Sequence, residues 1–349
     1  MDKRIEKLRA QLPGNADAII ISDPINVRYI SGVNFTDGYA VVSKDRAMLF
    51  ADSRYIEVAE KNAREGMDVI LYKGLETLTS ECTGIGTLAY EDRYVTCAAL
   101  ESLKGALDGT EFIPCGKLIE GLREFKDEYE IECITAAQRI AEKALDHVLG
   151  FITPERTEVE VALELEFTMR SLGASGTSFD TIAVSGKASS MPHGEPRMCK
   201  LEKGFLTMDF GALYNGYCSD MTRTVVIGKA DDEMKEMYNL VLESQNAAID
   251  AVKAGKKCRD IDRIARDKLD ERYPGAFGHG LGHGVGMYIH ESPTVSFRSE
   301  ETLRPGHIIT IEPGVYLAGK YGVRIEDMLA VTETGAINIT KAPKNLIEI

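Results

Sequence analysis

The segment from Phe205 to Ile227 limits the possible folds more than any other, because it reads as two strands joined at Asn215-Gly216. Asn-Gly supplies the two left-handed residues that a tight hairpin turn needs. A two-residue turn there sets Tyr214 against Tyr217, Gly211 against Asp220 and Asp209 against Thr222. Side chains alternate along a strand, so Asp209, Gly211 and Asp220 share one face, with the two aspartates diagonal to each other. Like charges at that distance destabilise the hairpin unless a proton or a cation stands between them. The alternative is a pair of exposed aspartates on a solvated face.

Two further segments carry polar residues where a fold would normally avoid them. Gly278 to Gly286 has glycine at every second position, which is poor for a helix. In an extended chain this puts His279 and His283 on one face and leaves bare backbone on the other, open to close approach. With His290 a few residues on, three histidines among glycines point to function rather than packing. The segment fits no Gly-x-Gly-x-x-Gly register, and Pro293 rules out a zinc-protease helix at His290-Glu291.

Glu312 ends the apolar run Ile308-Ile-Thr-Ile, where an unpaired carboxylate costs several kcal/mol. Glu326 follows Val323-Arg-Ile in a similar strand. A two-residue turn at Gly319-Lys320 would pair Glu312 with Asp327 and send Glu326 to the opposite face. For the two glutamates to share a site, the loop must have an odd number of residues or the strand must bulge, with Pro313-Gly314 as a plausible bulge. The plainer alternative is an ion pair between Glu312 and Arg324.

Four carboxylates and one or more histidines make an oxygen-rich donor set, suited to Mn²⁺, Co²⁺ or a similar ion. Four carboxylates are too many for one ion. Two divalent ions would balance them and could activate a water for attack on a carbonyl or phosphoryl centre. The seven cysteines are scattered without a Cys-x-x-Cys pair, which argues against a disulfide framework or a zinc-thiolate site.

Around this core the chain is ordinary. Its 349 residues suggest about two domains, and 44% hydrophobic with 28% charged residues suits a globular protein. A formal charge of −14 without a basic run speaks against a nucleic-acid partner. No run approaches the ~18 apolar residues of a membrane helix, and Met-Asp-Lys-Arg is too charged to open a signal peptide, so no membrane association and a cytoplasmic location are expected.

Strand patterns at Ala18 to Ser22, Tyr39 to Val42, Ala47 to Phe50, Asp68 to Tyr72 and Thr87 to Tyr90 alternate with helices at Arg4 to Leu12 and Arg54 to Gly66. This alternation suggests an α/β layer ending near Ile113-Pro-Cys-Gly116. One or two long amphipathic helices follow from Lys117 to Gly150. Thr157-Glu-Val-Glu160 has the form of a capping box for a helix reaching Leu172, and another helix spans Glu233 to Lys253.

Taken together, Asp209-Phe-Gly, Ser219-Asp-Met-Thr-Arg-Thr, Gly278-His-Gly-Leu-Gly-His-Gly-Val-Gly, Thr310-Ile-Glu-Pro-Gly and Val323-Arg-Ile-Glu-Asp resemble the dinuclear "pita-bread" metallopeptidases, which include aminopeptidase P and prolidase. Asn26-Val-Arg-Tyr-Ile-Ser-Gly and Leu49-Phe-Ala-Asp-Ser-Arg-Tyr resemble the creatinase-type N-terminal domain of the same enzymes. The resemblance covers nearly the whole chain. It implies an α/β creatinase-like domain over residues 1–118 and an α+β pita-bread catalytic domain over 119–349.

The resemblance also implies an exopeptidase that hydrolyses the Xaa-Pro bond of peptides or dipeptides, with a metal-bridging hydroxide as nucleophile. Asp209 and His283 would each bind one of two divalent ions, Mn²⁺ first with Co²⁺ or Zn²⁺ as alternatives, while Asp220 and Glu326 bridge them. Glu312 would bind a metal and act as general base. His193, His279 and His290 match histidines of the substrate pocket, Arg324 an arginine beside the metals, and Arg298 a position that holds a dipeptide carboxylate in some prolidases. Peptides with proline second would be the substrates and a homodimer the assembly. Met287-Tyr288 and Thr294 depart from many relatives beside the pocket. A creatinase-like amidino hydrolase and a silent binding module are the alternatives on this fold, and the intact ligand set counts against both.

Overall fold

The computed structural model describes residues 3–349. They form two compact units divided between Arg123 and Glu124. The first contains α1 (Lys3–Gln11), β1 (Ala18–Ile21), α2 (Pro24–Ser31), β2 (Gly38–Ser43), β3 (Ala47–Ala51), α3 (Ile56–Asn62), β4 (Asp68–Leu71), α4 (Leu75–Glu81), β5 (Thr87–Tyr90), α5 (Cys97–Ala106), β6 (Glu111–Pro114) and α6 (Leu118–Arg123). Its six strands are ordered β4-β3-β2-β1-β5-β6. β2 runs antiparallel to both neighbours, and the remaining pairings on either side are parallel.

β1 is buried along its whole length, as an apolar run covered on both faces must be. Asp23-Pro24, which breaks that strand, also starts α2: the Asp23 carboxylate accepts the Ile25 N–H at 2.9 Å, and proline occupies the first turn. Helices α2, α4 and α5 go beyond the sequence reading; at α2 the Asp23-Pro24 pair that ends one strand also begins a helix. The first unit extends past residue 118 because α6 packs on α1 and α2.

The second unit contains α7 (Glu128–Phe151), α8 (Glu158–Ser171), β7 (Gly176–Thr177), β8 (Ile182–Ser185), β9 (Gly204–Phe210), β10 (Ala212–Tyr214), β11 (Tyr217–Cys218), β12 (Met221–Ile227), α9 (Asp232–Ala251) and α10 (Cys258–Asp270). It continues with β13 (Gly282–Gly284), β14 (Glu291–Val295), β15 (Ile308–Ile311), β16 (Gly314–Leu317), β17 (Tyr321–Arg324), β18 (Asp327–Val331) and β19 (Ala336–Asn338). The sheet β12-β9-β8 shares a core with α7 and α8 through Ala141, Leu165, Met208 and Val225. The sheet β14-β13-β15-β18-β19 shares another with α9 and α10 through Val241, Ile261, Ile309 and Leu329. Capping boxes start both α7, at Asp127 with Glu130, and α8, at Thr157 with Glu160.

The hairpin has the register that the Asn-Gly turn predicts. Tyr214 pairs with Tyr217 and Asp209 with Thr222, and Asn215 and Gly216 have φ of 49° and 84°. At Gly211 the Ser219 carbonyl oxygen lies 1.9 Å from where a Cβ would stand, so only glycine fits. The second hairpin resolves the parity question through its loop. Leu317 pairs with Tyr321, leaving the three residues Ala318, Gly319 and Lys320 as the turn. Ile311 pairs with Asp327 and Gly314 with Arg324 in one continuous register, so Glu312 faces Glu326 without a net shift at Pro313-Gly314.

Among the described residues no helix is long and apolar enough to cross a membrane. Among the described residues none of the seven cysteines is in a disulfide, and Cys82, Cys133, Cys218 and Cys258 are buried.

Candidate functional site

The two hairpins and the glycine-rich strand β13 bring Asp209, Asp220, His283, Glu312 and Glu326 to the wall of one cavity of about 530 Å³. His193, His279, His290 and Arg324 line the same cavity, together with Phe179, Ile182 and Ile289. Arg298 does not: it is exposed, with its guanidinium 4.9 Å from the Phe297 ring centre. In β13 the side chain of His283 faces the cavity, whereas Gly282 and Gly284 face their neighbours. A Cβ would stand 2.0 Å from the Thr310 carbonyl oxygen at Gly282 and 2.2 Å from that of Ser292 at Gly284. His279 lies before the strand rather than in it.

The carboxylates crowd one another. One ligand atom each from Asp220, His283 and Glu326 falls within 4.8 Å of the others. His283 Nε2 lies 3.4 Å from Asp220 Oδ2 and 3.4 Å from Glu312 Oε1. Its Nδ1–H donates to the Gly284 carbonyl at 3.1 Å, which turns Nε2 toward the carboxylates. Burial raises the pKa of the Asp220, Glu312 and Glu326 carboxyls, and the charges of the other site carboxylates, Asp209 included, raise them further. Burial alone would lower His283, but the Asp220 hydrogen bond and the Glu312 charge raise it to about 9.

Surrounding groups satisfy one side of three of the four carboxylates. Thr222 Oγ1 donates to Glu326 Oε2 at 2.8 Å, and Thr310 Oγ1 to Glu312 Oε1 at 3.2 Å. Arg324 Nη2 donates to Asp209 Oδ2 at 2.6 Å, so the ion-pair partner of Arg324 is Asp209 and not Glu312. Its Nη1 reaches the Pro192 carbonyl at 3.1 Å, next to His193, and the Tyr316 hydroxyl at 2.9 Å. The inner oxygens are left over: Asp209 Oδ1 and Glu326 Oε1 are buried and have no hydrogen-bond partner. Buried unpartnered carboxylate oxygens beside further carboxylates and an imidazole are what a divalent-ion site requires, and the donor set contains no thiolate.

The histidines differ in setting. His279 donates Nδ1–H to the Gly280 carbonyl at 2.8 Å, and its Nε2 meets the Tyr316 hydroxyl at 3.0 Å. Burial, and then the Arg324 charge, push its pKa down to about 4, so the ring is neutral and Tyr316 is the donor to Nε2. The ring of His290 stands edge-on to that of His283, 4.4 Å between centres, and burial followed by the His283 charge lowers its pKa.

Sequence reasoning missed Tyr316, Thr222 and Thr310. Each had a signal: Thr222 faces Asp209 across the hairpin, Thr310 shares a strand face with Glu312, and Tyr316 lies opposite Gly322, where a Cβ would stand 2.7 Å from its ring.

Known proteins share both units. The family described as metallopeptidase family M24 matches residues 132–333, and the creatinase/prolidase N-terminal domain matches residues 4–125. An Xaa-Pro dipeptidase of Pyrococcus furiosus is 38% identical, covering 99% of this chain and all of its own. Among solved structures, an Xaa-Pro dipeptidase from Bacillus anthracis superposes with a TM-score of 0.96 at 41% identity, covering 99% of both chains. An X-Pro aminopeptidase from Thermotoga maritima superposes at 0.93 with 35% identity, covering 99% of this chain and 100% of its own.

Proposed function

The chain belongs to metallopeptidase family M24, and on that premise we propose that it is a dinuclear Xaa-Pro dipeptidase. Its fold is the α/β creatinase-like N-terminal domain followed by the α+β pita-bread catalytic domain. The observation that carries the proposal is the donor set of four carboxylates and one imidazole, with the inner oxygens of Asp209 and Glu326 buried and unanswered. The likeness to the Pyrococcus and Bacillus dipeptidases supports the substrate.

In this reading Asp209, Asp220, His283, Glu312 and Glu326 hold two divalent ions, Mn²⁺ in preference to Co²⁺ or Zn²⁺. When bound, the ions supply Lewis acidity and lower the pKa of a water. Glu312, held by Thr310, takes a proton from the attacking water and returns it to the prolyl nitrogen as the amide bond breaks. His193 and His290, on the cavity wall, hydrogen-bond the substrate carbonyl oxygen as negative charge develops on it. Neutral His279 lines the pocket beside Tyr316, and Arg324 keeps Asp209 and the Pro192 to His193 loop in place. Arg298 is given no substrate contact, since it lies outside the cavity. A tertiary Xaa-Pro amide has no N–H, so this chemistry suits a site that grips the substrate by its ends and its carbonyl. A homodimer in the cytoplasm completes the proposal, and sedimentation of the purified protein tests the dimer.

The decisive assay uses metal-stripped protein with Mn²⁺, Co²⁺ or Zn²⁺ restored, comparing an Xaa-Pro dipeptide with an Xaa-Pro-Xaa tripeptide. Cleavage of the dipeptide, strongest with Mn²⁺, is expected. A preference for the tripeptide would make it an aminopeptidase, and no cleavage with any ion would sink the peptidase reading.

A further inference from the structure

The segment from Phe277 to Gly284 has to hold two histidines in place although glycine supplies half of it. Its anchor comes from α10, a helix the sequence reading did not include. Ile261, Ala265 and Leu269 form the buried stripe of that helix, and Asp262 and Arg266 stand one turn apart beside it. The Asp262 side chain is fully buried. Arg266 Nε and Nη2 donate to its two oxygens at 2.7 and 2.9 Å, a planar two-point fork.

The remaining capacity of this pair goes to the main chain of the glycine segment. Arg266 Nη1 donates to the Phe277 carbonyl at 2.7 Å, and Nη2 also donates to the His279 carbonyl at 2.7 Å. Asp262 Oδ2 accepts the Leu281 N–H at 3.1 Å. Residues 277, 279 and 281 are alternate positions, so one ion pair grips one edge of an extended run. The guanidinium also lies 4.2 Å from the Phe277 ring centre and 4.9 Å from that of Phe297. With the backbone fixed at 279, the Gly280 carbonyl and the Tyr316 hydroxyl hold the His279 ring from both nitrogens.

We propose that Asp262 and Arg266 are positioning residues for the reaction, a clasp from α10 onto the glycine segment that sets the place and tautomer of His279 in the substrate cavity. This rests on the peptidase reading for its functional meaning but not for its geometry. Lysine cannot replace the arginine: one ammonium has no planar fork to meet a carboxylate and two carbonyls together.

The test is a double-mutant cycle between the clasp and the ring. Arg266→Lys is measured alone and in a His279→Ala background, for kcat and KM on an Xaa-Pro dipeptide. Expected is a rise in KM of about tenfold with kcat within about twofold in the first case, and less than about a twofold further change in the second. Equal losses in both backgrounds would overturn the proposal, since a merely structural role is indifferent to the ring. If Arg266→Lys does not fold, Asp262→Asn enters the same cycle with the same criteria. A second readout needs no turnover: in ¹⁵N-histidine-labelled protein His279 shows the Nδ1–H tautomer, and Arg266→Lys is expected to mix the tautomers. Unchanged His279 shifts would overturn the clasp even if the wild type cleaved no dipeptide, and altered shifts in an inactive protein would fault only the peptidase reading.

Discussion

Glu326 and Asp327 are consecutive and equally buried, yet the chain treats the two carboxylates in opposite ways. Asp327 is fully answered: Oδ1 accepts from Arg223 at 2.8 Å, and Oδ2 from Asn338 at 2.9 Å and Lys344 at 2.8 Å. Glu326, facing the other way, receives Thr222 on one oxygen and nothing on the other, among three further carboxylates. Burying a charge costs several kcal/mol unless fixed partners compensate it. On the Asp327 side the protein supplies those partners itself. On the Glu326 side it supplies no partner for the second oxygen, which the proposed ion would compensate, and that difference separates scaffold from site more sharply than burial or polarity does.

The largest expected effect lies on the open side. Glu312→Gln should lower kcat by on the order of a thousandfold while leaving the melting temperature of the metal-free protein nearly unchanged, and near-normal turnover would remove Glu312 from proton transfer. On the closed side the effect should be on folding. Asp327→Asn is expected to cost about 3–5 kcal/mol in denaturant unfolding, by the same amount with and without added metal, because it strands two cations. A metal-dependent loss there would erase the distinction between the two sides.

Glu326→Gln should do the reverse. In metal-free protein it should change stability by about 1 kcal/mol or less, but abolish the stabilisation of about 3 kcal/mol expected from Mn²⁺ at a hundred times its dissociation constant. A metal-induced rise in melting temperature that survives the substitution would show that Glu326 holds no ion.

The smallest effect concerns a third buried carboxylate, in the first unit. Glu91 accepts from the Ser22 and Asp23 backbone and from Asn26, but burial still pushes its pKa up to about 7. A raised carboxyl pKa favours the folded state while the group is protonated. Its contribution is therefore complete below about pH 4.5 and fades as pH rises to about 7. Thermal melts should show the wild type losing ground to Glu91→Gln over that window; a pH-independent difference would mean that Glu91 stays ionised throughout.

The parts of this arrangement legible in the sequence are those that a covalent rule decides. Asn215-Gly216 sets the hairpin register and so the juxtaposition of Asp209 and Asp220. Strand parity reduced the Glu312 and Glu326 question to two answers, and the three-residue loop chose one. Pairings made through space were not legible. Arg324 sits two residues from Glu326 and across the hairpin from Gly314, but its charge goes to Asp209, on a strand more than a hundred residues earlier. The α10 clasp was hidden for a related reason: Asp262 and Arg266 at helical spacing look like an ordinary surface pair, and their main-chain partners lie in a different segment.

The bare glycines also bear on how a mutational survey of this protein would read. At positions 211, 282 and 284 a neighbouring carbonyl oxygen stands about 2 Å from where any other residue would put its first side-chain carbon. Selection on activity would therefore reject every replacement at these three positions as firmly as at Glu312. A map coloured by intolerance alone would mark as chemistry what is only lack of room. Scoring the same library for folded protein as well as for turnover separates the two: the glycines drop out of both screens, and Glu312 out of one.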